Sequence, residues 1–333
     1  MPLSVGRTER LKNTTGNGLE GAIAEASFWR IGGVDQWVMI RGRSIANPLL
    51  LILHGGPGAS ETALFRSFNA DLEEEFTVVY WDQRGAGRSY SRSIPAQSMT
   101  VDRFLADLDE LINRLLARFA GRRVVLLGHS WGSMLGVLYA SRFPAKIAAY
   151  AGVGQVADSA ASEAASYAFA LARAQERGQR QAVRRLLAIG PPPHTLEQVG
   201  VQRRWLMAMG GTFGPNLSLA KLMWRGLTSP EASPWDLVRM VQGSRFSLRL
   251  LWPELNAANL QRDVRRLEMP VFFLLGRLDM QVVSSVGAAY FEVLDAPHKA
   301  LVWFETSGHG PPAEEPERFN RVMVETVRPF AVG

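Results

Sequence analysis

The pentapeptide G-H-S-W-G at 128–132 constrains the fold of this chain more than any other segment. An apolar run at 124–127 precedes it and a mostly apolar stretch follows it. A G-x-S-x-G sequence between a buried strand and a helix predicts a nucleophile elbow, a sharp turn that raises the serine hydroxyl above the sheet. Gly128 and Gly132 suit this turn because they remove β-carbons where the strand and the helix nearly touch. We therefore predict that Ser130 is a nucleophile at the carboxyl end of a strand.

Apolar segments of strand length recur along the chain and alternate with helical ones. This alternation predicts an α/β fold: a mostly parallel central sheet with helices on both faces. The Gly32-Gly33 pair predicts a hairpin between the first two strands. Helices are predicted at 60–75 and 100–119, and strands at 22–31, 34–41, 48–53, 76–81, 124–127, 147–153, 271–275 and 300–304.

The alternation breaks between residues 154 and 258, a stretch rich in alanine, arginine and methionine. Helical patterns there predict a helical cap inserted between two strands of the sheet, with helices at 159–176, 180–189, 196–209 and 234–241. The domains predicted are thus a core formed by 1–153 and 259–333 and a cap formed by 154–258.

Composition excludes several classes of site. The 333 residues include no cysteine, so disulfides, thiolate metal sites and cysteine nucleophiles are excluded. Most of the net charge of +6 lies in 154–258, where twelve basic residues stand against seven acidic ones. Its arginines fall at helical spacing among alanines and leucines, as on a solvated helix face, so we expect no nucleic-acid partner.

The first 17 residues are polar, and no run of about 18 apolar residues occurs. We therefore expect no signal peptide and no membrane partner, and a cytoplasmic location.

A nucleophilic serine needs a base, and the chain has five histidines. His309 follows the predicted strand 300–304 and lies between two glycines, so elimination selects it as the general base. His54 begins a glycine-rich loop and is expected to be structural, and His129 is expected to point away from the serine. His194 lies in a proline-rich part of the insertion and His298 in a polar turn.

The base in turn needs a carboxylate that fixes its tautomer. Asp279 comes directly after the predicted strand 271–275, and the order Ser, Asp, His fits an elbow enzyme. Asp158, which follows the strand 147–153, is the alternative acid.

The oxyanion of an acyl transfer is stabilised by two preorganised donors. One is predicted to be the backbone N–H of Trp131, directly after the nucleophile. The second is expected from the loop H-G-G-P-G at 54–58, with Gly56 as the donor and Gly55 as the alternative.

Five segments together resemble the α/β-hydrolase superfamily, and within it the proline iminopeptidase-like branch. They are H-G-G-P-G at 54–58, D-Q-R-G-A-G-R-S at 82–89, G-H-S-W-G-S at 128–133, G-R-L-D at 276–279 and S-G-H at 307–309. The resemblance covers 50–155 and 265–325. It implies a serine hydrolase without cofactor or metal, which releases an N-terminal proline or another small residue from short peptides through an acyl-enzyme. The expected partner is therefore a small-molecule or short-peptide substrate.

The resemblance also implies that acidic residues of the cap hold the free α-amine of the substrate. Candidates for this role are Glu163, Glu231 and Glu254, and candidates for an apolar lining are Trp205, Met209, Phe213 and Trp224. Because the insertion is net positive, a carboxylesterase or lactonase that acts on amine-free substrates is the alternative. A non-catalytic binding protein on the same scaffold is a remote one. Asp82 and Arg84 are expected to brace the neighbouring loop.

Overall fold

The computed structural model describes residues 8–12, 18–229 and 233–332. Within these ranges eight strands form one sheet in the order β1-β2-β4-β3-β5-β6-β7-β8. β1 pairs antiparallel with β2, β2 pairs antiparallel with β4, and the other neighbours are parallel. The strands are β1 Ile23–Ile31, β2 Val34–Gly42, β3 Leu49–Leu53, β4 Thr77–Trp81, β5 Val124–His129, β6 Ile147–Val153, β7 Val271–Gly276 and β8 Lys299–Phe304.

The helices alternate with these strands, so the predicted α/β fold is confirmed. In chain order they are α1 Thr62–Phe68, α2 Leu72–Glu75, α3 Val101–Arg118, α4 Trp131–Arg142, α5 Ser159–Glu176, α6 Arg180–Ile189, α7 Leu196–Ala208, α8 Leu219–Leu227, α9 Pro234–Asn256, α10 Leu260–Asp263, α11 Ser284–Val293, α12 Pro311–Glu314 and α13 Pro316–Val322. None of the helices in the described ranges has the length and apolar character that a bilayer span requires.

Apolar side chains of the central strands are buried on both faces of the sheet. Leu51 belongs to a core that includes Leu108 of α3 and Tyr290 of α11. Its neighbour Leu50 points to the other face, into a core with Phe65 of α1 and Phe319 of α13. Because successive side chains of a strand point to opposite faces, the continuous apolar runs of the sequence produce a sheet covered on both sides.

The predicted helix at 60–75 is wrong as a single element. The chain leaves the helix at Asn69, and α2 begins three residues later. The Asn69 side-chain amide donates to the carbonyl of Pro312 at 3.0 Å and to Asn320 Oδ1 at 2.9 Å. These long-range bonds to the C-terminal helices accompany the break.

In the described part of the insertion, five helices (α5 to α9) lie between β6 and β7. They have a small core of their own, which includes Ala170, Leu186 and Leu206. α9 continues to Asn256, well past the predicted end at 241. Its Ser244 and Ser247 hydroxyls donate to the carbonyls of Gly58 and Gly85, each at 3.2 Å. Contacts with core loops thus support the helix beyond its local pattern.

Candidate active site

Ser130 stands alone between the end of β5 and the start of α4, with φ +54° and ψ −119°. A non-glycine residue adopts such angles only where its surroundings hold it there. Its N–H donates to the Val153 carbonyl at 2.9 Å, and its own carbonyl accepts from the Ser133 hydroxyl at 2.6 Å. A β-carbon on Gly132 would lie 1.9 Å from the Leu53 carbonyl oxygen. The glycine is therefore required for the close passage of α4 over β3.

His309 is held by contacts on its ring and on its backbone. Its Nδ1 lies 2.8 Å from Asp279 Oδ2, and its N–H donates to the Thr212 carbonyl at 2.7 Å. The other oxygen of Asp279 accepts the N–H groups of Gln281 at 2.8 Å and Val282 at 3.0 Å. Since Asp279 is acceptor-only when ionised, Nδ1 of His309 carries the proton and Nε2 is left as a hydrogen-bond acceptor.

The loop after β6 leaves room for this pair. A β-carbon on Gly154, whose φ is +51°, would lie 3.0 Å from His309 Nδ1 and 3.5 Å from Asp279 Oδ2. Any larger residue would press on the contact between the two side chains. The sequence signal was a glycine directly after a buried strand.

Two cavities adjoin Ser130 in the described ranges. The first, here the His309 cavity, has a volume of about 810 Å³ and is lined by Ser130, His309, Gly56 and the half-buried Phe213. The second, here the Arg203 cavity, has a volume of about 890 Å³, and Ser130 and Gly56 line it too. Ser130 and His309 therefore face one common space.

The Arg203 cavity is the polar one. Its charged lining residues, among those described, are Asp158, Glu163 and Arg203. Arg203 donates to Glu163 Oε2 at 2.8 Å, and Glu163 Oε1 lies 3.2 Å from Nδ1 of His194. Burial lowers the pKa of Arg203, an effect that the charges of Glu163 and Asp279 oppose. Asp158, the alternative acid, caps α5 by accepting the Ala161 N–H at 2.9 Å.

The predicted oxyanion donors flank the serine. Trp131 is the first residue of α4, where a helix leaves its N–H groups without intrahelical acceptors. Both Trp131 and Gly56 line the Arg203 cavity with Ser130. The Gly55 N–H instead donates to Glu61 Oε2 at 3.2 Å.

Gln83, which the sequence analysis did not single out, ties the two donor segments together. Its side chain accepts from the Trp131 indole N–H at 2.9 Å and donates to the His54 carbonyl at 3.1 Å. Its backbone N–H donates to His54 Nε2 at 3.1 Å, so the His54 proton is on Nδ1, 2.8 Å from the Gly55 carbonyl oxygen. Burial lowers the pKa of His54, in keeping with a neutral ring.

His129 does not point away from the site, contrary to expectation. Its Nε2 donates to the His309 carbonyl at 2.8 Å, its Nδ1 lies 2.6 Å from Glu61 Oε1, and the two imidazole rings are 4.8 Å apart. Burial alone would lower the pKa of His129, but the Glu61 carboxylate raises it to about 9. The same pairing outweighs burial at Glu61 and lowers the pKa of its carboxyl group. A charged pair thus lies beside His309.

Glu314 is another residue of the site that sequence reasoning missed. Its carboxylate accepts the N–H groups of Gly308 at 2.9 Å and Gly310 at 2.8 Å, one on each side of His309. It also accepts the N–H of Gly214 in the insertion at 2.6 Å. Burial raises the pKa of Glu314. The glycines around His309 gave the only local signal that the loop needs such support.

The remaining predicted residues lie elsewhere. Trp205 and Met209 pack in the core of the insertion, and Trp224 is 68% exposed. Glu254 accepts the Val101 N–H at the start of α3, at 3.2 Å. Glu231 lies outside the described residues.

Asp82 and Arg84 brace the loop after β4. Asp82 accepts the Thr62 hydroxyl at 3.0 Å and the Arg88 N–H at 2.9 Å. Arg84 donates to both oxygens of the buried Asp107, at 2.8 Å and 3.0 Å.

Comparison with known proteins agrees with this architecture. Residues 48–316 match the alpha/beta hydrolase fold family. The probable aminopeptidase YbaC of Bacillus subtilis is 34% identical over 303 residues, which cover 90% of this chain and 94% of that protein. A proline iminopeptidase of Saccharolobus solfataricus is 34% identical over 120 residues, which cover 36% of this chain and 37% of that protein.

Among solved structures, a proline iminopeptidase-related protein from Thermus thermophilus superposes with a TM-score of 0.67 at 19% identity, over 93% of this chain and 99% of that one. This likeness concerns the fold. The family match over most of the chain and the full-length relative show that the chain belongs to the α/β-hydrolase family, as a hydrolase that resembles its proline iminopeptidase-like branch.

Proposed function

We propose that the protein is a serine hydrolase that works through an acyl-enzyme, with Ser130 as nucleophile, His309 as general base and Asp279 as the group that orients His309. The observation that carries this proposal is the 2.8 Å contact of His309 Nδ1 with Asp279, on the cavity that His309 shares with the strained Ser130. A nucleophile, a base and a carboxylate that orients the base are the parts that acyl transfer requires.

The mechanism follows from these roles. Ser130 Oγ attacks the substrate carbonyl carbon while His309 Nε2 takes the hydroxyl proton, and the negative charge forms on the carbonyl oxygen. The N–H groups of Trp131 and Gly56 stabilise that oxyanion. His309 then gives its proton to the leaving amine or alcohol, the scissile bond breaks, and an ester to Ser130 remains. Water attacks the carbonyl carbon of this ester while His309 Nε2 takes its proton. The bond between the acyl carbon and Ser130 Oγ then breaks, His309 gives the proton to Oγ, and the acid is released.

The proton path distinguishes the two cavities. The leaving group receives its proton from His309, so it belongs in the His309 cavity. The acyl group then occupies the other side of Ser130, in the Arg203 cavity. This assignment follows from the chemistry of the step, because a proton moves only over hydrogen-bond distance.

The charged residues of the Arg203 cavity, where the acyl group is placed, favour an aminopeptidase. Two carboxylates, Asp158 and Glu163, and one guanidinium, Arg203, line this cavity, so its ionised side chains carry one excess negative charge. A buried ammonium group must be paired with negative charge, and an ionised carboxylate has room for several donors. The free N-terminal amine of a peptide meets that need, and the relative named a probable aminopeptidase supports the same assignment. We infer release of N-terminal proline or another small residue.

One observation favours the alternative. Glu163 already accepts from Arg203 at 2.8 Å and contacts His194. A carboxylesterase or lactonase on amine-free substrates would need no further charge there.

The deciding experiment compares prolyl p-nitroanilide, its N-acetyl derivative and p-nitrophenyl acetate, with Ser130→Ala as control. An aminopeptidase cleaves the first at least about tenfold better than the second, because only the first can pair with the acids. If only p-nitrophenyl acetate is turned over, the protein is an esterase. Absence of all turnover, with no labelling of Ser130 by a fluorophosphonate, would leave a binding protein.

A further inference from the structure

A third cavity lies next to the His309 cavity, between the core and the insertion. This α8 groove has a volume of about 950 Å³, part of it open to solvent. Leu64 of α1 and Leu222 of α8 line both the groove and the His309 cavity, so the two spaces adjoin at these side chains. The groove is therefore the neighbouring space of the His309 cavity on the side of Leu64 and Leu222.

The surface of the groove is apolar. Its lining includes Met223, Leu227 and Met240 from α8 and α9, and Trp37 from β2. Met223 and Leu227 remain 44% and 46% exposed, and α8 has no buried residue in the structure. An apolar helix face along a groove indicates a surface that can bury an apolar ligand.

The charged residues of the groove are engaged by other protein groups. Arg88 donates to Asp236 at 2.8 Å and its guanidinium lies 4.8 Å from the Trp37 ring centre. Asp82 accepts from the loop after β4 and from Thr62, as described above. Recognition by the groove is left to its apolar side chains.

We propose that the α8 groove is a subsite for the leaving group and selects substrates whose leaving amine or alcohol is long and apolar. This inference rests on the proposed function, because it assigns the leaving group to the His309 side. In a peptide substrate, the preferred residues after the scissile bond are bulky and apolar. The occupant is the distal part of the same substrate molecule, bound through continuity with the cavity that Ser130 and His309 share.

The test keeps the acyl group constant and lengthens the leaving group, with prolyl amides of ethylamine, butylamine and octylamine. If no free amine is required, the acetate esters of ethanol, butanol and octanol take their place. Each buried methylene is worth about fourfold in binding, so even partial burial gives at least about a tenfold rise in kcat/KM from ethyl to octyl. Prolyl-Leu-Leu-amide against prolyl-Gly-Gly-amide repeats the comparison with peptides. An equal or falling kcat/KM along the series overturns the proposal.

A matched pair of variants locates the effect. Met223→Asp puts a charge in the groove and should reduce the octyl-to-ethyl ratio to near one. Ala220→Asp makes the same kind of change on the same helix, at an exposed residue that does not line the groove, and should leave the ratio unchanged. If both variants reduce the octyl-to-ethyl ratio equally, the assignment of the subsite to the α8 groove is wrong.

A binding measurement separates this inference from the proposed function. Titration of Ser130→Ala with 1-octanol needs no turnover, and we expect saturable binding that Met223→Asp weakens about tenfold. Absence of octanol binding overturns the subsite. If octanol binds but the wild-type protein neither turns over substrate nor reacts at Ser130, the groove is still an apolar binding site and the proposed hydrolase function is wrong.

Discussion

The Nε2 atom of His129 donates to the backbone carbonyl of His309 at 2.8 Å, so the residue before Ser130 holds the backbone of His309. The partner of His129, Glu61, accepts the Gly55 N–H of the glycine-rich loop. One ion pair thus joins three segments that approach Ser130: the elbow, the loop of His309 and the loop after β3.

The charge of this pair predicts an alkaline limit. The pKa of His129 is raised from 6.5 to about 9, so its imidazolium stabilises the folded site fully below 6.5 and is lost as pH rises through about 9. The pKa of Glu61 is lowered, so its carboxylate contributes above its usual value of 4.5 and is lost as pH falls below it. We expect kcat/KM to fall above about pH 9. The titratable groups around His129 are Glu61, Asp279, His54 and His309.

Removal of the carboxylate should move this limit. In Glu61→Gln the pKa of His129 returns toward 6.5, and we expect kcat/KM to decline at a correspondingly lower pH, with about a tenfold loss at pH 8. The pH profile of kcat/KM measures this. Glu74→Gln, an exposed acid of α2, is the matched control. An unchanged profile in Glu61→Gln would show that the pair has no influence on the reaction.

The variant Asp279→Asn tests the proposal that Asp279 orients His309. An asparagine N–H can donate to His309 Nδ1, which leaves the proton on Nε2 and removes the base. We expect kcat to fall about 10⁴-fold with the fold retained, as judged by circular dichroism. Labelling of Ser130 by a fluorophosphonate should slow in parallel. A loss as large in Asp158→Asn, with Asp279→Asn near wild type, would exchange the two assignments.

Glu163→Gln tests amine recognition. We expect kcat/KM for a free-amine substrate to fall about tenfold, because a charged partner of the ammonium is lost, with a much smaller effect on the N-acetyl derivative. Steady-state kinetics on both substrates measures this, and a thermal melt checks that Arg203 without its partner is tolerated. Glu176→Gln, an exposed acid of the same helix, is the control. Equal losses on both substrates would indicate a structural role alone.

Glu314→Gln should act on the reaction more than on the fold. The amide has one acceptor oxygen where the carboxylate has two, so the N–H groups of Gly308, Gly310 and Gly214 can no longer all be satisfied. We expect kcat to fall about tenfold while KM changes little, since the loop of His309 loosens. Glu317→Gln on α13, which is exposed, is the comparison. A rise in KM with kcat unchanged would place the effect on substrate binding.

The sequence predicted the strands and the fold because their signals are local. The predicted strand 147–153 and the predicted helix 159–176 coincide with β6 and α5. The helix α8 was not predicted; it spans nine residues, a length at which an isolated helix is marginal, and it packs on α1. Whether such a short helix forms depends on its tertiary contacts, and the local sequence pattern does not reveal them.

The same distinction applies to the site. Ser130, Asp279 and His309 each follow a recognisable strand, so spacing and order could suggest them. Glu61 and Glu314 act through partners that the fold brings near, His129 in one case and the glycines around His309 in the other. For a carboxylate on a loop or a short helix, the local sequence pattern does not predict which distant residue it will contact.

The contacts of α9 with Gly58 and Gly85 bear on how these enzymes can be recombined. A graft that exchanges residues 154–258 for those of a relative would replace Ser244 and Ser247, whose hydroxyls donate to these two core loops. We expect chimeras to retain activity only when positions 244 and 247 keep hydroxyl side chains. The insertion and the two core loops that it contacts must therefore be exchanged together.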